Sequence, residues 1–370
     1  MQVLFNDLAA QYQAIRAEAD YAIQKVLQEG WFVGGTHVQN FEKSFAERCG
    51  ALHAVGLGNA TDGLFLALKA LGIKPGDEVI TPAWSWISSA EVITLCGARV
   101  VFADVEPDTF LISTKSIEQK ITTKTKAVIV VHLYGRMADL KPIKTLCDQH
   151  QLKLVEDCSQ AHFAESAVGK VGTVGDCGVF SFYPTKNLGA FGDAGCLITH
   201  NETLALKVRR LSNHGGLTKD EHLMEGANSR LDSLQAAILQ VKLNYVSSWT
   251  TIRKTLAEVY LDRLKSVPEI VLPQIDEPTA HVFHLFVVRV QNRDELQVYL
   301  RERRIQTLIH YPNAIPFEPA YAYLNHTENN FPVAAQLQRE VLSLPLHPFL
   351  SQEQIEYVCE AIIYFYGHRT

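Results

Sequence analysis

A lysine, Lys186, follows an apolar strand and lies in a segment of small residues. Residues 180–189 read FSFYPTKNLG, and Gly192 and Gly195 come soon after them. Glycine lets a backbone approach a ligand closely. An amine in an apolar or cationic environment has a lowered pKa and becomes nucleophilic. The pattern therefore favours Schiff-base chemistry at Lys186 over the common alternative, a solvated surface lysine.

A carboxylate, Asp157, ends a second apolar strand. Residues 155–162 read VEDCSQAH, so polar groups begin where the strand stops. A carboxylate in that position can pair with a protonated heterocyclic nitrogen and would keep pyridoxal phosphate in its electron-withdrawing state. The alternative is that Asp157 is only a helix N-cap or turn residue.

A third segment could bind phosphate. Residues 58–63 read GNATDG and connect a short strand to a helix, with Thr61 and Asp62 at the helix start. The free N–H groups of a helix N-terminus, together with the Thr61 hydroxyl, form a suitable cradle for a phosphate group. Ordinary turn chemistry explains a glycine-rich turn equally well.

All three segments lie just after strands in an α/β alternation. We predict strands at residues 54–57, 78–80, 100–102, 127–132, 152–156, 177–182 and 195–199. We predict helices at residues 7–29, 40–49, 64–71, 88–96 and 140–150. Strands that are apolar throughout indicate a mostly parallel sheet covered on both faces. Ligands bind beyond the carboxyl ends of such strands, which is where the three segments lie.

The pattern of the chain changes after about residue 245. We predict a long helix over 234–264, and then a strand, a helix, a strand and a last helix at 283–290, 295–303, 306–310 and 352–364. The sequence therefore predicts a large α/β domain with an N-terminal helical segment over residues 1–245, and a smaller α+β domain over residues 246–370.

Composition excludes several classes of protein. The 370 residues include 34 Lys and Arg against 40 Asp and Glu, and this net charge of −6 argues against binding to nucleic acid. No apolar run is long enough to span a membrane, and the N-terminus lacks the pattern of a signal peptide. The seven cysteines are scattered without a CxxC pair. We therefore expect thiols in a reducing cytoplasm and no metal site, rather than a disulfide or zinc framework.

Taken together, these segments resemble the DegT/DnrJ/EryC1/StrS family of sugar aminotransferases. Further segments are similar to landmarks of that family, at residues 76–83 (GDEVITPA), 131–135 (VHLYG) and 228–237 (NSRLDSLQAA). The resemblance runs from about Phe5 to Tyr364. It implies the fold type I of pyridoxal-phosphate enzymes, with a mixed, mostly parallel sheet in the large domain. It also implies transaminase activity in a homodimer with shared active sites.

The resemblance implies a role for each matching residue. Lys186 would form the Schiff base and move the proton, Asp157 would pair with the pyridine nitrogen, and Gln160 would lie near the phenolic oxygen of the cofactor. Asn228 would reach the phosphate from the neighbouring subunit. The cofactor-binding residues that it implies are Thr61, Asp62, Trp86, Asp157, Gln160, Ser181, Lys186 and Asn228.

Two tryptophans depart from the family pattern. The family usually has Phe or Tyr where this chain has Trp86, the residue that would stack on the pyridine ring, and Trp84 is also unusual. The pocket beside the ring is therefore expected to be narrower. The alternative is that both are core or interface aromatics.

The implied substrates are L-glutamate and a nucleotide-linked keto-hexose, with Arg230 as the candidate for the glutamate carboxylate. Residues 306–312 (QTLIHYP) look most like members that aminate C3, which favours a dTDP-3-keto-6-deoxyhexose. A 4-keto sugar is the alternative. The alternative role for Arg230 is a structural ion pair with a helix or with Asp232. The expected substrate-binding residues are Tyr183, Arg230, His310 and Tyr311.

Several other hypotheses remain at this point. A sugar 3-dehydratase of the same fold carries His where this chain has Lys186, which argues against it. A non-catalytic regulator has no reason to keep Asp157, Lys186 and Asn228 together. We expect His132 and His162 to be hydrogen-bonded pocket or core histidines. The nucleotide, the sugar configuration and the final product, such as a lipopolysaccharide O-antigen, stay open.

Overall fold

Helices and strands alternate over most of residues 1–368, the part of the chain that the computed structural model describes. The strands are β1 His53–Leu57, β2 Glu78–Pro82, β3 Arg99–Ala103, β4 Thr125–Val131, β5 Lys153–Asp157, β6 Glu165–Ser166, β7 Gly169–Lys170, β8 Cys177–Ser181, β9 Gly195–Thr199, β10 Ile270–Val271, β11 Phe286–Val290 and β12 Val341–Leu344. The α-helices are α1 Leu8–Glu29, α2 Gly35–Cys49, α3 Ala60–Ala70, α4 Ser88–Leu95, α5 Thr114–Lys120, α6 Leu140–Gln149, α7 Glu202–Leu211, α8 Ser233–Leu243, α9 Val246–Leu264, α10 Arg293–Glu302, α11 Pro332–Glu340 and α12 Gln352–Gly367. Short 3₁₀ helices lie at Leu133–Gly135, Pro278–Ala280, Ile315–Phe317, Pro319–Leu324 and Glu328–Asn330.

A seven-stranded sheet forms the centre of the larger part of the molecule. Its strand order is β1-β9-β8-β5-β4-β2-β3. The strands from β8 to β3 run parallel, whereas β9 is antiparallel to both of its neighbours. The predicted α/β architecture, with a mixed and mostly parallel sheet, is confirmed. Because β5 and β8 are parallel neighbours, their carboxyl ends bring Asp157 and the segment leading to Lys186 to the same edge.

The single long helix predicted over 234–264 is wrong. The chain forms α8 and α9, with a break at Asn244 and Tyr245. The amide of Asn244 donates to the carbonyl of Val241 at 3.1 Å, and that of Tyr245 to the carbonyl of Lys242 at 3.0 Å. These bonds span three residues and tighten the backbone into a 3₁₀ turn. The break lets α8 pack against α1 and α2 while α9 packs against α12.

The strand predicted over 306–310 is also wrong. Only Leu308 pairs with the neighbouring β12, through two backbone hydrogen bonds with Ser343 of 3.2 and 2.8 Å. The next residues leave the small sheet because the carbonyl of His310 accepts a hydrogen bond from the hydroxyl of Tyr134, in the 3₁₀ turn that follows β4. A contact with the other part of the molecule therefore replaces regular strand pairing.

Two other elements begin at residues different from those predicted. The strand predicted from residue 283 begins at Phe286, because Val282 and Leu285 donate to backbone carbonyls of the 133–135 turn instead of to a strand. Helix α3 begins at Ala60, four residues before its predicted start. The sequence analysis did not predict α5, α7, α11, β10 or β12.

Two large hydrophobic cores and a small cluster of Ile15, Ala19, Ile238 and Trp249 stabilise the described part of the fold. The larger one surrounds the seven-stranded sheet, and the smaller one lies between β11, β12, α9 and α12, with Tyr260 stacked on Phe286 at 4.7 Å between ring centroids. Burying one such aromatic side chain contributes about 2 kcal/mol to stability. Ala314, Ile315 and Phe331 pack into the larger core although they lie beyond residue 246. The division into 1–245 and 246–370 stays a prediction.

Within residues 1–368, no helix combines the length and the apolar character needed to cross a membrane.

Candidate active site

Lys186 lies in the loop between β8 and β9, and the backbone of this loop is tightly closed. The amide of Lys186 donates to the Tyr183 carbonyl at 2.9 Å, and that of Ala190 to the Phe182 carbonyl at 2.7 Å. A Cβ at Gly189 would lie 2.4 Å from the Pro184 carbonyl oxygen, so only glycine allows this closure. The small residues that the sequence places around Lys186 thus determine how the loop folds.

The surroundings of the Lys186 amine favour its neutral form. Burial lowers the pKa of Lys186 to about 8, and the nearby Asp157 carboxylate opposes that shift. An amine with this pKa is a nucleophile in a substantial fraction of molecules at neutral pH. The structure therefore brings the two residues that the sequence singled out into electrostatic contact.

Three histidines surround Lys186. Burial and the charge of Lys186 lower the pKa of His162 to about 3, that of His310 to about 4, and that of His284 well below its usual value. All three rings are therefore neutral at physiological pH. His284 was not singled out from the sequence, and its Nδ1 lies 3.3 Å from the side-chain oxygen of Asn187.

Asp157 is the last residue of β5 and is buried. Its Oδ1 accepts a hydrogen bond from the Ser159 amide at 3.0 Å. None of the residues 1–368 donates a hydrogen bond to its other carboxylate oxygen. One oxygen thus stabilises the turn, which is the alternative role that the sequence left open for Asp157. The second oxygen is available to a ligand.

The start of α3 has the form of an anion site. Asn59 caps the helix by accepting from the Asp62 amide at 2.8 Å, and its side-chain amide donates to the Asp62 carboxylate at 3.0 Å. The first amides of a helix have no partner within it and can bind phosphate. The Thr61 hydroxyl lies 2.9 Å from the hydroxyl of Ser88, at the start of α4. Ser88 was missed in the sequence, although it stands only two residues after Trp86.

The two tryptophans have different environments. Trp86 is 59% exposed, and its ring centroid lies 5.7 Å from that of Tyr311. Trp84 is buried, and its indole N–H donates to the Tyr134 hydroxyl at 2.8 Å. Trp86 is therefore available to stack on a planar ring, whereas Trp84 is a core aromatic.

The Gln160 side chain connects the turn after β4 with the segment that contains Tyr311. Its side-chain oxygen accepts from the Tyr134 amide at 2.6 Å, and its side-chain nitrogen donates to the Tyr311 hydroxyl at 3.0 Å. His310 is held from the other side, with Nδ1 2.8 Å from the Ser343 hydroxyl. Tyr134 was not proposed for the site, although its motif VHLYG had been noted.

Two further predicted residues lie where β8 leads into the loop that carries Lys186. Ser181 ends β8, and its hydroxyl accepts from the Tyr183 amide at 3.2 Å. The Tyr183 ring is 52% exposed. Both therefore lie at the carboxyl end of β8, the strand that leads to Lys186.

Asn228 and Arg230 are not connected to this group within one chain. Ser229, between them, accepts from the Gly58 amide at 3.1 Å, and Asn228 forms an isolated bridge with Asn213. Within its own subunit this segment supports the turn before α3. Arg230 is exposed and donates to the Asn213 side chain at 3.1 Å.

The alternative ion pair between Arg230 and Asp232 does not form within residues 1–368.

Buried polar groups near the site have a structural role. Glu156 accepts hydrogen bonds of 2.7 to 2.9 Å from the amides of Gly172, Val174 and Gly175, and one of 2.9 Å from Nε2 of His132. His132 is thus hydrogen-bonded, as expected. Cys158 lies beside this pair, but the bonds occupy the lone pairs that a metal ion would need.

His162 differs from the expectation. Its ring is fully buried against Phe180 and Phe182, and neither ring nitrogen makes a hydrogen bond of normal geometry within residues 1–368. The apolar surroundings explain why this histidine stays neutral.

Comparisons with known proteins agree with this geometry. The sequence profile of the DegT/DnrJ/EryC1/StrS aminotransferase family matches residues 13–363. The chain is 44% identical to the dTDP-3-amino-3,6-dideoxy-alpha-D-galactopyranose transaminase of Aneurinibacillus thermoaerophilus, over 97% of this chain and 98% of that one. It is 43% identical to the erythromycin biosynthesis sensory transduction protein EryC1 of Saccharopolyspora erythraea, over 97% and 98%. The crystal structure of DesV from S. venezuelae in complex with a ketimine intermediate superposes with a TM-score of 0.97 and 42% identity, covering 100% of this chain and 99% of that one.

Proposed function

Because this chain belongs to the DegT/DnrJ/EryC1/StrS aminotransferase family, we propose that it transfers an amino group from L-glutamate to C3 of a nucleotide-linked 3-keto-hexose. The observation that carries this proposal is the Lys186 amine, whose pKa is lowered to about 8 beside Asp157 at the carboxyl edge of the sheet. The A. thermoaerophilus relative, whose name is that of a dTDP-3-amino sugar transaminase, supports the substrate class.

Pyridoxal phosphate is the cofactor of this family, and the residues present suit it. The free amides at the start of α3, with the hydroxyls of Thr61 and Ser88, suit its phosphate. The exposed ring of Trp86 suits stacking on its pyridine ring, and the free oxygen of Asp157 suits its ring nitrogen. When bound, the cofactor supplies the electron-withdrawing ring that amino-group exchange requires.

Lys186 is the group that we assign to proton transfer. Its amine can both attack a carbonyl and carry a proton, because its pKa of about 8 lies close to neutral pH. His162, His284 and His310 stay neutral, since burial lowers the pKa of each. His284, beside Asn187, and His310, beside Ser343, can orient polar groups without adding positive charge beside Lys186. Asp157 supplies the negative charge.

The substrate side of the proposal uses four residues. Arg230 is exposed, and among residues 1–368 its side chain is held only by Asn213, so its guanidinium can turn towards the carboxylate of glutamate. Tyr183, His310 and Tyr311 would contact the nucleotide sugar, as the family resemblance implies. In support, the Tyr311 ring lies beside the exposed ring of Trp86, and Tyr183 is itself exposed.

We further propose that the active unit is a homodimer in which Asn228 completes the site of its partner. Large apolar side chains are exposed on one chain, among them Trp31, Phe32, Tyr183 and Phe191. An exposed apolar surface of this kind favours contact with another chain. The cytoplasm is the setting that we propose, because the seven cysteines are free thiols.

The decisive experiment follows the two half-reactions separately. The purified enzyme is first converted with L-glutamate to its aminated form, and 3-keto and 4-keto nucleotide sugars are then added one at a time. Return of the original cofactor absorbance with the 3-keto sugar alone is the expected result. Return with only a 4-keto sugar would move the reaction to C4.

Two controls complete that experiment. Return with pyruvate but with no nucleotide sugar would contradict the sugar substrate altogether. A protein that shows no cofactor absorbance at all would instead fit the regulatory role that the name of the S. erythraea relative denotes. Comparing dTDP-linked with UDP-linked sugars then identifies the nucleotide.

A further inference from the structure

A chain of buried and partly buried hydrogen bonds connects Trp84, Tyr134 and Gln160, which follow strands of the large sheet, to residues 310–311. The indole N–H of Trp84 donates to the Tyr134 hydroxyl at 2.8 Å, and that hydroxyl donates to the carbonyl of His310. The Tyr134 amide donates to Gln160 at 2.6 Å, and Gln160 donates to the Tyr311 hydroxyl at 3.0 Å. Tyr134 is therefore connected to both halves of the pair His310–Tyr311, which we name the cleft wall: directly to His310, and through Gln160 to Tyr311.

The backbone of Tyr134 is held in an unusual conformation. Its φ is +59°, in the left-handed region that a bulky residue rarely adopts. The following Gly135 also has a positive φ, and a Cβ there would lie 2.6 Å from the His284 amide nitrogen. Such a backbone persists only where its surroundings over-determine it. The side-chain and amide contacts of Tyr134 supply that constraint.

The direction of each hydrogen bond follows from the chemistry of the groups. An indole N–H can only donate, so the Tyr134 hydroxyl must accept from Trp84 and direct its own proton at the His310 carbonyl. Burial raises the pKa of Tyr134 well above its usual value, which keeps that proton in place. The His310 carbonyl can only accept, so it fixes the same direction by itself. A phenylalanine at position 84 would fill similar space but would remove the donor that helps to hold the Tyr134 hydroxyl in place.

The same reasoning fixes Gln160 and Tyr311. A backbone N–H can only donate, so the oxygen of the Gln160 side chain faces Tyr134 and its nitrogen faces Tyr311. The Tyr311 hydroxyl then accepts this bond and keeps its own proton for another acceptor. No acceptor for that proton occurs among residues 1–368, and the Trp86 ring lies beside Tyr311 at the open side.

We propose that Trp84 and Tyr134 are positioning residues that fix the cleft wall and direct the Tyr311 hydroxyl proton towards the hexose of the nucleotide sugar. This inference rests on the proposed function for its substrate, but not for its geometry. Neither Trp84 nor Tyr134 needs to contact the substrate, since both act through His310, Gln160 and Tyr311.

The first test measures substrate use by Trp84→Phe, Tyr134→Phe and the double variant. We expect Tyr134→Phe to raise the KM for the nucleotide sugar about tenfold, since a directed hydrogen bond is lost. The glutamate half-reaction should change less than about twofold, because its carboxylate is assigned to Arg230. The double variant should be no worse than Tyr134→Phe alone, because both residues act through one chain of bonds. Additive effects would contradict that shared action.

The second test does not depend on catalysis. Hydrogen exchange of the peptide covering residues 306–314 is measured in the cofactor-loaded enzyme without substrate. We expect faster exchange there in Tyr134→Phe and Trp84→Phe. Tyr321→Phe is the matched control, because Tyr321 is equally buried but its hydroxyl has no hydrogen bond within residues 1–368. Equal exchange in Tyr134→Phe and Tyr321→Phe would overturn the positioning role.

The two tests separate the possible failures. If exchange accelerates but the KM for the sugar is unchanged, the wall is positioned by Tyr134 yet does not determine substrate binding, and the inference is wrong in that part. If the unmodified enzyme uses no nucleotide sugar, the proposed function fails, and hydrogen exchange still decides the role of Tyr134. Trp84→Phe replaces Tyr134→Phe if the latter does not fold.

Discussion

The region around Lys186 is enclosed by contacts within one chain, whereas the segment 213–230 is only partly enclosed. Lys186 and Asp157 lie at the ends of neighbouring strands, and their surroundings are buried. In the segment 213–230, the side chains of Ser229 and Arg230 each form one hydrogen bond with the described residues 1–368, and Arg230 is exposed. Pairing of β5 with β8 in the sheet is sufficient to bring the residues of the first region together. The second region presents groups to solvent, as a surface that meets another chain would.

The largest effect should come from the first region. We expect Lys186→Ala to reduce transamination by several orders of magnitude while leaving folding and cofactor binding largely intact, because a covalent catalyst is lost but the loop backbone remains. Single-turnover absorbance measures the rate, and thermal unfolding measures the fold. A variant that turns over near the normal rate would show that Lys186 is not the catalytic lysine.

Asp157→Asn should have the next largest effect. Removing the negative charge should lower the rate by roughly a hundredfold or more, with a modest loss of cofactor affinity, because the ring withdraws electrons less strongly. The rate is measured from pH 6 to pH 9 alongside cofactor titration. Kinetics unchanged over that range would reject the pairing with the ring nitrogen.

Mixing subunits tests whether the second region is completed by a partner. Lys186→Ala and Asn228→Asp are each expected to be inactive as homodimers. A heterodimer of the two contains one site with both residues intact, so some activity should return. Verified heterodimers are assayed beside each parent. If they show no more activity than the parents, Asn228 acts within its own chain.

The smallest expected effect concerns pH. Burial lowers the pKa of Lys186 to about 8, so its neutral fraction rises with pH and is nearly complete above that value. In the cofactor-free protein, binding of pyridoxal phosphate to the amine should accelerate about fivefold between pH 7 and pH 8 and level off soon after. Stopped-flow absorbance follows this step. Acceleration that continues unchanged to pH 10 would indicate an ordinary exposed lysine.

Local patterns in the sequence determined the first region. Lys186 and Asp157 both follow apolar strands, and such strands align in a parallel sheet with their carboxyl ends at one edge. Gly189 permits a loop closure that a Cβ would block. These features depend on residues close together in the sequence, so the sequence by itself was sufficient to locate them.

Only the tertiary structure decided the contacts between distant segments. The hydrogen bond between Tyr134 and His310 joins residues 176 apart, and that between Gly58 and Ser229 joins residues 171 apart. The first contact depends on how the two parts of the molecule pack together, and the second on how the segment 213–230 folds back onto the turn before α3. No local periodicity encodes either arrangement. For this reason the strand predicted over 306–310 did not form, and the link from Trp84 to the cleft wall became visible only in the folded chain.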